Sequence, residues 1–251
     1  MKLLTKIALT LSLTLTSTLS IADQPIPVHY DGFDLALSCE TKTAIYVSYK
    51  ATKDGGNEKR KHSFYVDKNL PRECQQSSTG TYKLPYMVHS KLNKKISYDR
   101  GHLVPANHMD HSKQSIRDTN YMTNIVPMTR TVNRQGGAWY ATEMLTECTR
   151  DIKDFEVHAG IVMGDDKRND YFIASHGIKT PDFLWKVLFD GKTANAWIIP
   201  NSHNAVKENL PKYQTTIADI EDKAGIKLPI PSHMKNFKNP SWNMPSRCDY
   251  R

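Results

Sequence analysis

Cysteine is scarce in this 251-residue chain. There are four, Cys39, Cys74, Cys148 and Cys248, and none forms a C-x-x-C pair. That spacing excludes a thioredoxin-like redox motif and gives no zinc-finger pattern. No segment repeats along the chain, and no long low-complexity linker divides it. Beyond the N-terminal segment no apolar run approaches the length needed to span a bilayer. What is left is an ordinary chain, long enough to bury one good core as a single domain.

The N-terminus reads as a targeting segment. Lys2 and Lys6 give a basic start, and Ile7 to Leu19 is an apolar run diluted with Ser and Thr. Ser20-Ile21-Ala22 then offers a small-x-small cleavage site. The expectation is a signal peptide over residues 1–22, removed to leave a single domain over 23–251. The protein would be secreted or periplasmic, of bacterial type, with no membrane attachment after cleavage. An even number of cysteines in an exported chain suggests two disulfides. Three pairings are possible. Cys39–Cys74 with Cys148–Cys248 is favoured, the first stapling the N-terminal region and the second tying the tail to a central helix. A nucleophilic cysteine is disfavoured in such a compartment.

Basic residues outnumber acidic ones, for a formal charge of +8. Residues 1–22 carry Lys2, Lys6 and no acid, so their removal leaves +6. A positive surface favours encounter with polyanions, although charge alone also serves solubility.

Strand and helix signals are mixed in order. Thr43 to Lys50 alternates and is β-branched, which reads as a strand, and Phe64-Tyr65-Val66 reads as a short second one. Lys53 to Lys61 is a polar loop with a basic end, and Pro71 to Tyr82 an irregular loop held by Cys74. Ile96 to Leu103, Phe155 to Met163, Leu184 to Phe189 and Ala194 to Ile199 are further strands. Trp139 to Arg150 lacks Gly and Pro and reads as a helix after Gly136-Gly137. Pro211 to Ala224 reads as another, with Gly225 as its C-terminal cap. This order argues an α+β fold around a largely antiparallel sheet.

The chemistry concentrates in Tyr98-Asp99-Arg100-Gly101-His102-Leu103-Val104-Pro105-Ala106. Arg carries a planar, permanently charged fork that fits a phosphate. His changes protonation near neutral pH and can take a proton from water. Gly permits close approach of a bulky backbone such as a nucleic acid. The signal continues in Asn120-Tyr121-Met122-Thr123-Asn124-Ile125-Val126-Pro127-Met128. It ends in Asn133-Arg134-Gln135-Gly136-Gly137-Ala138-Trp139-Tyr140-Ala141-Thr142-Glu143.

These residues, in this order, resemble the DNA/RNA non-specific endonuclease family, the ββα-metal nucleases. The resemblance runs from about Val47 to Ile226. Two departures lie near the expected metal site. Met128 stands where the family has Gln, and Asn133 to Trp139 is about two residues longer than usual at Gly136-Gly137.

The resemblance implies a central sheet with helices on both faces and a ββα-metal catalytic motif. It also implies a Mg²⁺-dependent endonuclease, with Mn²⁺ as the alternative ion, cutting DNA, RNA or both to 5′-phosphates as a monomer or homodimer. His102 would be the general base. Asn133 would be the one direct protein ligand of the ion, and Glu143 would hold metal-bound waters. Arg100 would contact phosphate or pair with a carboxylate, and Asp99 would support the motif. Asn120 and Asn124 would position His102 and the ion, Asn124 as part of the catalytic set and Asn120 also in contact with substrate. Arg60 is the candidate for the upstream arginine that stabilises the transition state, ahead of Lys61, His62 and Arg72. Arg134, with Lys94, Lys95, Arg117 and Arg130, would track phosphates.

Each residue also has a plainer reading: Asn133 as a helix cap, Glu143 as a solvated helix face, the arginines as exposed charges. Trp139 reads as core packing, and His108 and His111 as solvated loop residues. The rival function is a secreted nucleic-acid-binding protein without catalysis. A phosphodiesterase or phosphatase for small esters is more distant. The joint presence of His102, Asn133 and Glu143 argues against binding alone.

Overall fold

A computed structural model describes residues 24–85, 97–240, 242–246 and 248. The segment read as a signal peptide, Ile96, and the loop lysines Lys94 and Lys95 lie outside the described residues.

The described residues open with a hairpin, β1 (Ile26–Tyr30) and β2 (Phe33–Ser38). Asp31-Gly32 forms its two-residue turn, with Gly32 at φ +95°. An Asp-Gly pair between β-forming runs is a strong short-range hairpin signal. β3 (Thr43–Ala51) pairs with β2 and, across a long excursion of the chain, with β6 (Phe155–Val162). β7 (Phe183–Phe189) and β8 (Ala194–Pro200) complete an antiparallel sheet of order β1-β2-β3-β6-β7-β8.

The excursion between β3 and β6 carries a separate two-stranded sheet, β4 (Tyr98–His102) with β5 (Ile125–Thr129). Helix α1 (Lys113–Thr119) lies between these strands. After β5 come α2 (Arg130–Asn133) and the long α3 (Ala138–Arg150). Further along are α4 (Ile173–His176) and α5 (Ile217–Ala224), the latter capped by Gly225 at φ +66°.

Alternation along the strands gives the six-stranded sheet two apolar faces. On one, Leu184 and Leu188 of β7 and Val47, Val157 and Ala159 of neighbouring strands pack with Ala138, Trp139 and Leu145 of α3. On the other, Trp185, Val187 and Phe189 pack with Ile217 and Ile220 of α5. Full burial of one such aliphatic side chain stabilises by about 1.5–3 kcal/mol. The packing seats α3 against the sheet and thereby fixes the ββα unit of β4, β5 and α3.

Two disulfides, Cys39–Cys74 and Cys148–Cys248, join the pairs favoured from the sequence. Other expectations need correction. Tyr65 makes only an isolated bridge to Tyr121, not a strand. The stretch read as one helix from Pro211 is a 3-10 segment, Lys207–Tyr213, followed after a break by α5. No described helix is long and apolar enough to cross a membrane.

Candidate active site

His102 closes β4 with its side chain buried, and Asn120 controls its ring. Asn120 Nδ2 donates to the Lys61 carbonyl at 3.0 Å, which turns its Oδ1 toward the imidazole. His102 Nε2 lies 2.8 Å from that oxygen and must donate to it. The tautomer is thereby set, leaving Nδ1 as the unprotonated nitrogen. Asn120 is itself fully buried, so it orients the His102 ring and, contrary to the expectation from the sequence, does not line the cleft.

Asn124 was expected with the catalytic set, but its amide is spent on the backbone. Oδ1 accepts from Val104 N at 3.0 Å, while Nδ2 donates to Val104 O and Thr119 O. This clamp turns the chain just after His102. Gly101 also has a different reason from the one first inferred. A Cβ there would sit 2.2 Å from Met128 Cγ, so packing of β4 on β5 requires the glycine, not approach of a ligand.

Across the cleft Asp99 organises two neighbours. Its carboxylate accepts from Asn133 Nδ2 at 3.1 Å and from Arg134 Nε and Nη2 at 2.8 Å each. Burial works to raise the Asp99 pKa, but the hydrogen bonds from Arg134 and Asn133 and the charges of Arg134 and Arg130 overcome it and hold the carboxyl below its usual value. Because Asp99 takes the Asn133 amino group, the Asn133 amide oxygen is left as an acceptor. Arg134, read as a substrate contact, is half exposed and paired to Asp99.

Glu143 lies one helical turn after Trp139 on α3 and lines the same cleft. Burial pushes its pKa up to about 7, against the pull of Lys186 and then Arg60. The His102 imidazole shifts the other way, to about 3, through burial and then the positive charge of Arg60. The Asn120 hydrogen bond opposes this, and Arg100 adds a smaller push down. His102 is therefore neutral across physiological pH.

The basic loop supplies the roof. Arg60 is exposed, lines the cleft, and its charge reaches both His102 and Glu143. Arg72, a rival for its role, donates to the carbonyls of Gln75, Gln76 and Ser77 and is occupied elsewhere. Phe64 was not singled out in the sequence. Its ring lies 3.8 Å beneath the Arg100 guanidinium and 5.5 Å from the His102 ring, so it steadies both. Arg100 also donates to Thr79 O at 2.8 Å. His108, expected to be solvated, is instead buried and bonded to the Tyr49 hydroxyl at 2.7 Å. His111 remains partly exposed beside Asp31.

The cleft that unites Arg60, Asp99, Arg100, His102, Asn133, Arg134 and Glu143 has a volume of about 910 Å³. Asn120 and Asn124 stand behind it. Its free donors are an amide oxygen and a carboxylate, hard ligands that suit Mg²⁺ with most of its water shell retained. No cluster of three His, Cys, Asp or Glu side chains arranged to hold an ion occurs among the described residues.

Several known proteins resemble this chain in sequence. The chain is 26% identical over 156 residues to "Nuclease EXOG, mitochondrial" of Danio rerio, covering 56% of this chain and 45% of that one. To the Xenopus laevis protein of the same name it is 27% identical over 194 residues, covering 70% and 49%. To "Endonuclease G, mitochondrial" of Caenorhabditis elegans it is 26% identical over 216 residues, covering 79% and 66%. The chain thus spans about half the length of the EXOG relatives it matches.

The fold matches the crystal structure of the EndoG/EndoGI complex at a TM-score of 0.57. The identity is 16%, with 80% of this chain and 84% of that one covered. The mitochondrial names of these relatives overturn the expected secreted or periplasmic location. A basic, acid-free, Ser-containing start is shared by secretory and mitochondrial leaders, which explains how residues 1–22 invited the wrong address. The model of the DNA/RNA non-specific endonuclease family matches residues 14–230, and the chain belongs to that family.

Proposed function

We propose that this chain is a metal-dependent endonuclease that hydrolyses phosphodiester bonds of DNA, RNA or both, leaving 5′-phosphates, with residues 23–251 as one catalytic domain. The observation that carries the reading is the His102–Asn120 pair. It presents a neutral imidazole with Nδ1 free, in the same cleft as the Asn133 amide oxygen and Glu143.

His102 Nδ1 takes the proton of a water attacking the phosphorus. Its low pKa is that of the free site, and the negative charge of a bound phosphate raises it toward the range of an effective base. Asn120 holds the ring so that Nδ1 stays the acceptor. Asn133, kept in place by Asp99, would offer its amide oxygen to the ion, and Glu143 would accept hydrogen bonds from the waters of a bound ion. Mg²⁺, when bound, supplies charge neutralisation at the phosphate and the leaving oxygen. Arg60 and Arg100 grip the phosphate from the other side, where their guanidinium forks stabilise the extra charge of the transition state.

The test compares wild type, Asn133→Ala and Glu143→Gln on plasmid DNA and on structured RNA over a Mg²⁺ series, with end-group analysis of the products. Both variants should need more ion, Asn133→Ala most of all, and the wild type should leave 5′-phosphates. A wild type indifferent to chelator would sink the metal-dependent reading.

A further inference from the structure

We propose that Gly56 is a positioning residue for the cleavage site: its lack of a side chain lets the loop after β3 lie flush on Asp110, and that contact sets Arg60 over the cleft. The inference rests on the reading of Arg60 as a phosphate contact given above.

The loop leaves β3 at Ala51 and carries Gly55-Gly56 just ahead of Arg60. The two glycines differ. A Cβ at Gly55 would meet nothing within 4 Å. A Cβ at Gly56 would sit 2.2 Å from Asp110 Oδ1 and 2.5 Å from both the carbonyl carbon and the carbonyl oxygen of Asp110. A carboxylate can turn aside, but a backbone carbonyl cannot. Gly56 is not among the glycines with positive φ, so close approach and not backbone freedom calls for it.

The chain under Gly56 is fixed. His108 is buried against the Tyr49 hydroxyl, and the Met109 carbonyl accepts from Ser115 Oγ at 2.6 Å. Arg150, buried at the end of α3, donates to the carbonyls of Asn107 at 3.0 Å and His108 at 3.4 Å. An added methyl group must therefore push the loop outward.

The loop is pinned on both sides of Arg60. Upstream, Arg150 Nη2 lies 3.2 Å from Asp54 Oδ2, and Asp54 N donates to Asp151 Oδ1 at 3.2 Å. Glu58 N then donates to the Asp110 carbonyl at 3.1 Å, the same group that Gly56 touches. Downstream, the Lys61 carbonyl accepts from Asn120 Nδ2 at 3.0 Å. Lys59 and Arg60 span the gap between these two backbone bonds. Arg60 is exposed and lines the cleft, so its guanidinium goes where the loop carries it. Lifting Gly56 off Asp110 breaks the nearer pin.

The experiment uses the full chain with Gly55→Ala, Gly56→Ala, Arg60→Ala and the double variant Gly56→Ala/Arg60→Ala. Plasmid cleavage is followed at saturating Mg²⁺. Binding to duplex DNA is followed over a salt series with His102→Ala added to each, alongside thermal denaturation. Gly56→Ala should lower kcat/KM by about 10²-fold, as a small misplacement of a positioned group does. It should also reduce the log–log salt slope by about 1, the loss of one phosphate contact. On top of Arg60→Ala it should add nothing to either. Gly55→Ala should match the wild type, and every variant should melt close to it, because the glycines lie in a surface loop.

A wild-type slope and rate in Gly56→Ala overturn the proposal, as does a full loss repeated on top of Arg60→Ala. Equal damage from Gly55→Ala assigns the effect to loop flexibility and overturns it, and a sharp fall in melting temperature assigns it to structure with the same result. An unchanged slope in Arg60→Ala removes the reading of Arg60 itself. A changed slope there, with Gly56→Ala unchanged, removes this inference alone. A wild type that binds but cuts nothing removes the nuclease reading, and the salt slopes still decide this one.

Discussion

His102 shows how one side chain is prepared by its surroundings. Burial and the nearby arginine charges hold its pKa near 3, so proton NMR of the metal-free chain should show no titration of this ring between about pH 5 and 8. A ring that titrates near 6.5 would contradict the buried, cation-flanked site. The sign for stability follows from the same shift. The folded value lies below the ordinary 6.5, so over that interval the unfolded chain binds the proton more readily. Stability therefore falls as pH drops from about 6.5 toward 3, and His102→Ala should remove that part of the acid sensitivity. Asn120→Ala should lower kcat by about 10²-fold, since it frees both the tautomer and the ring orientation. Substrate affinity should change little, because Asn120 lies behind the cleft. A large loss of binding with kcat preserved would restore the substrate-contact role first read from the sequence.

At the scale of elements, β4, β5 and α3 form the ββα unit, and cross-links hold it. Asp99 on β4 fixes Asn133 at the end of α2, so Asp99→Ala should weaken Mg²⁺ binding by about tenfold, measured by calorimetry with Asn133 intact. Cys148 on α3 is tied to Cys248 across a separation of 100 residues. Replacing both with Ser should cost about 2–5 kcal/mol in denaturant unfolding, with the reduced wild type showing a similar loss.

Some of this was legible beforehand. β3, β6, β7, β8 and α3 announced themselves by alternation or by an unbroken helical run, and the motif residues converge on one cleft. Other elements were hidden for physical reasons. β5 contains Pro127, which argues against a strand until its short two-stranded setting is known. The β1–β2 hairpin carries its Asp31-Gly32 signal before an alternating run, but Pro27 argues against the first strand until its place at the sheet edge is known. Pro211 suits a 3-10 turn as well as a helix start, so the break before α5 did not show. Lys186 inside an apolar strand gives no sign in the sequence of its burial, which follows from both faces of the sheet being covered.

For the whole molecule, a +8 chain presents the Lys59-Arg60-Lys61 run beside a cleft that also holds Arg100 and Arg134. Binding to a polyanion should then weaken steeply with salt, as counterions released from phosphates are recaptured. Measured with the His102→Ala protein on duplex DNA, Arg60→Ala should reduce the log–log salt slope by about 1, uniformly across sequences. An unchanged slope would place Arg60 away from the phosphates. The most direct test of the account is cleavage of supercoiled plasmid and structured RNA by wild type and His102→Ala, each with Mg²⁺ and with EDTA. The wild type should degrade nucleic acid only with the metal, and His102→Ala should be slower by about 10²–10⁴-fold while still binding. A wild type that binds but never cuts with any divalent ion, or a His102→Ala variant as active as its parent, would contradict it.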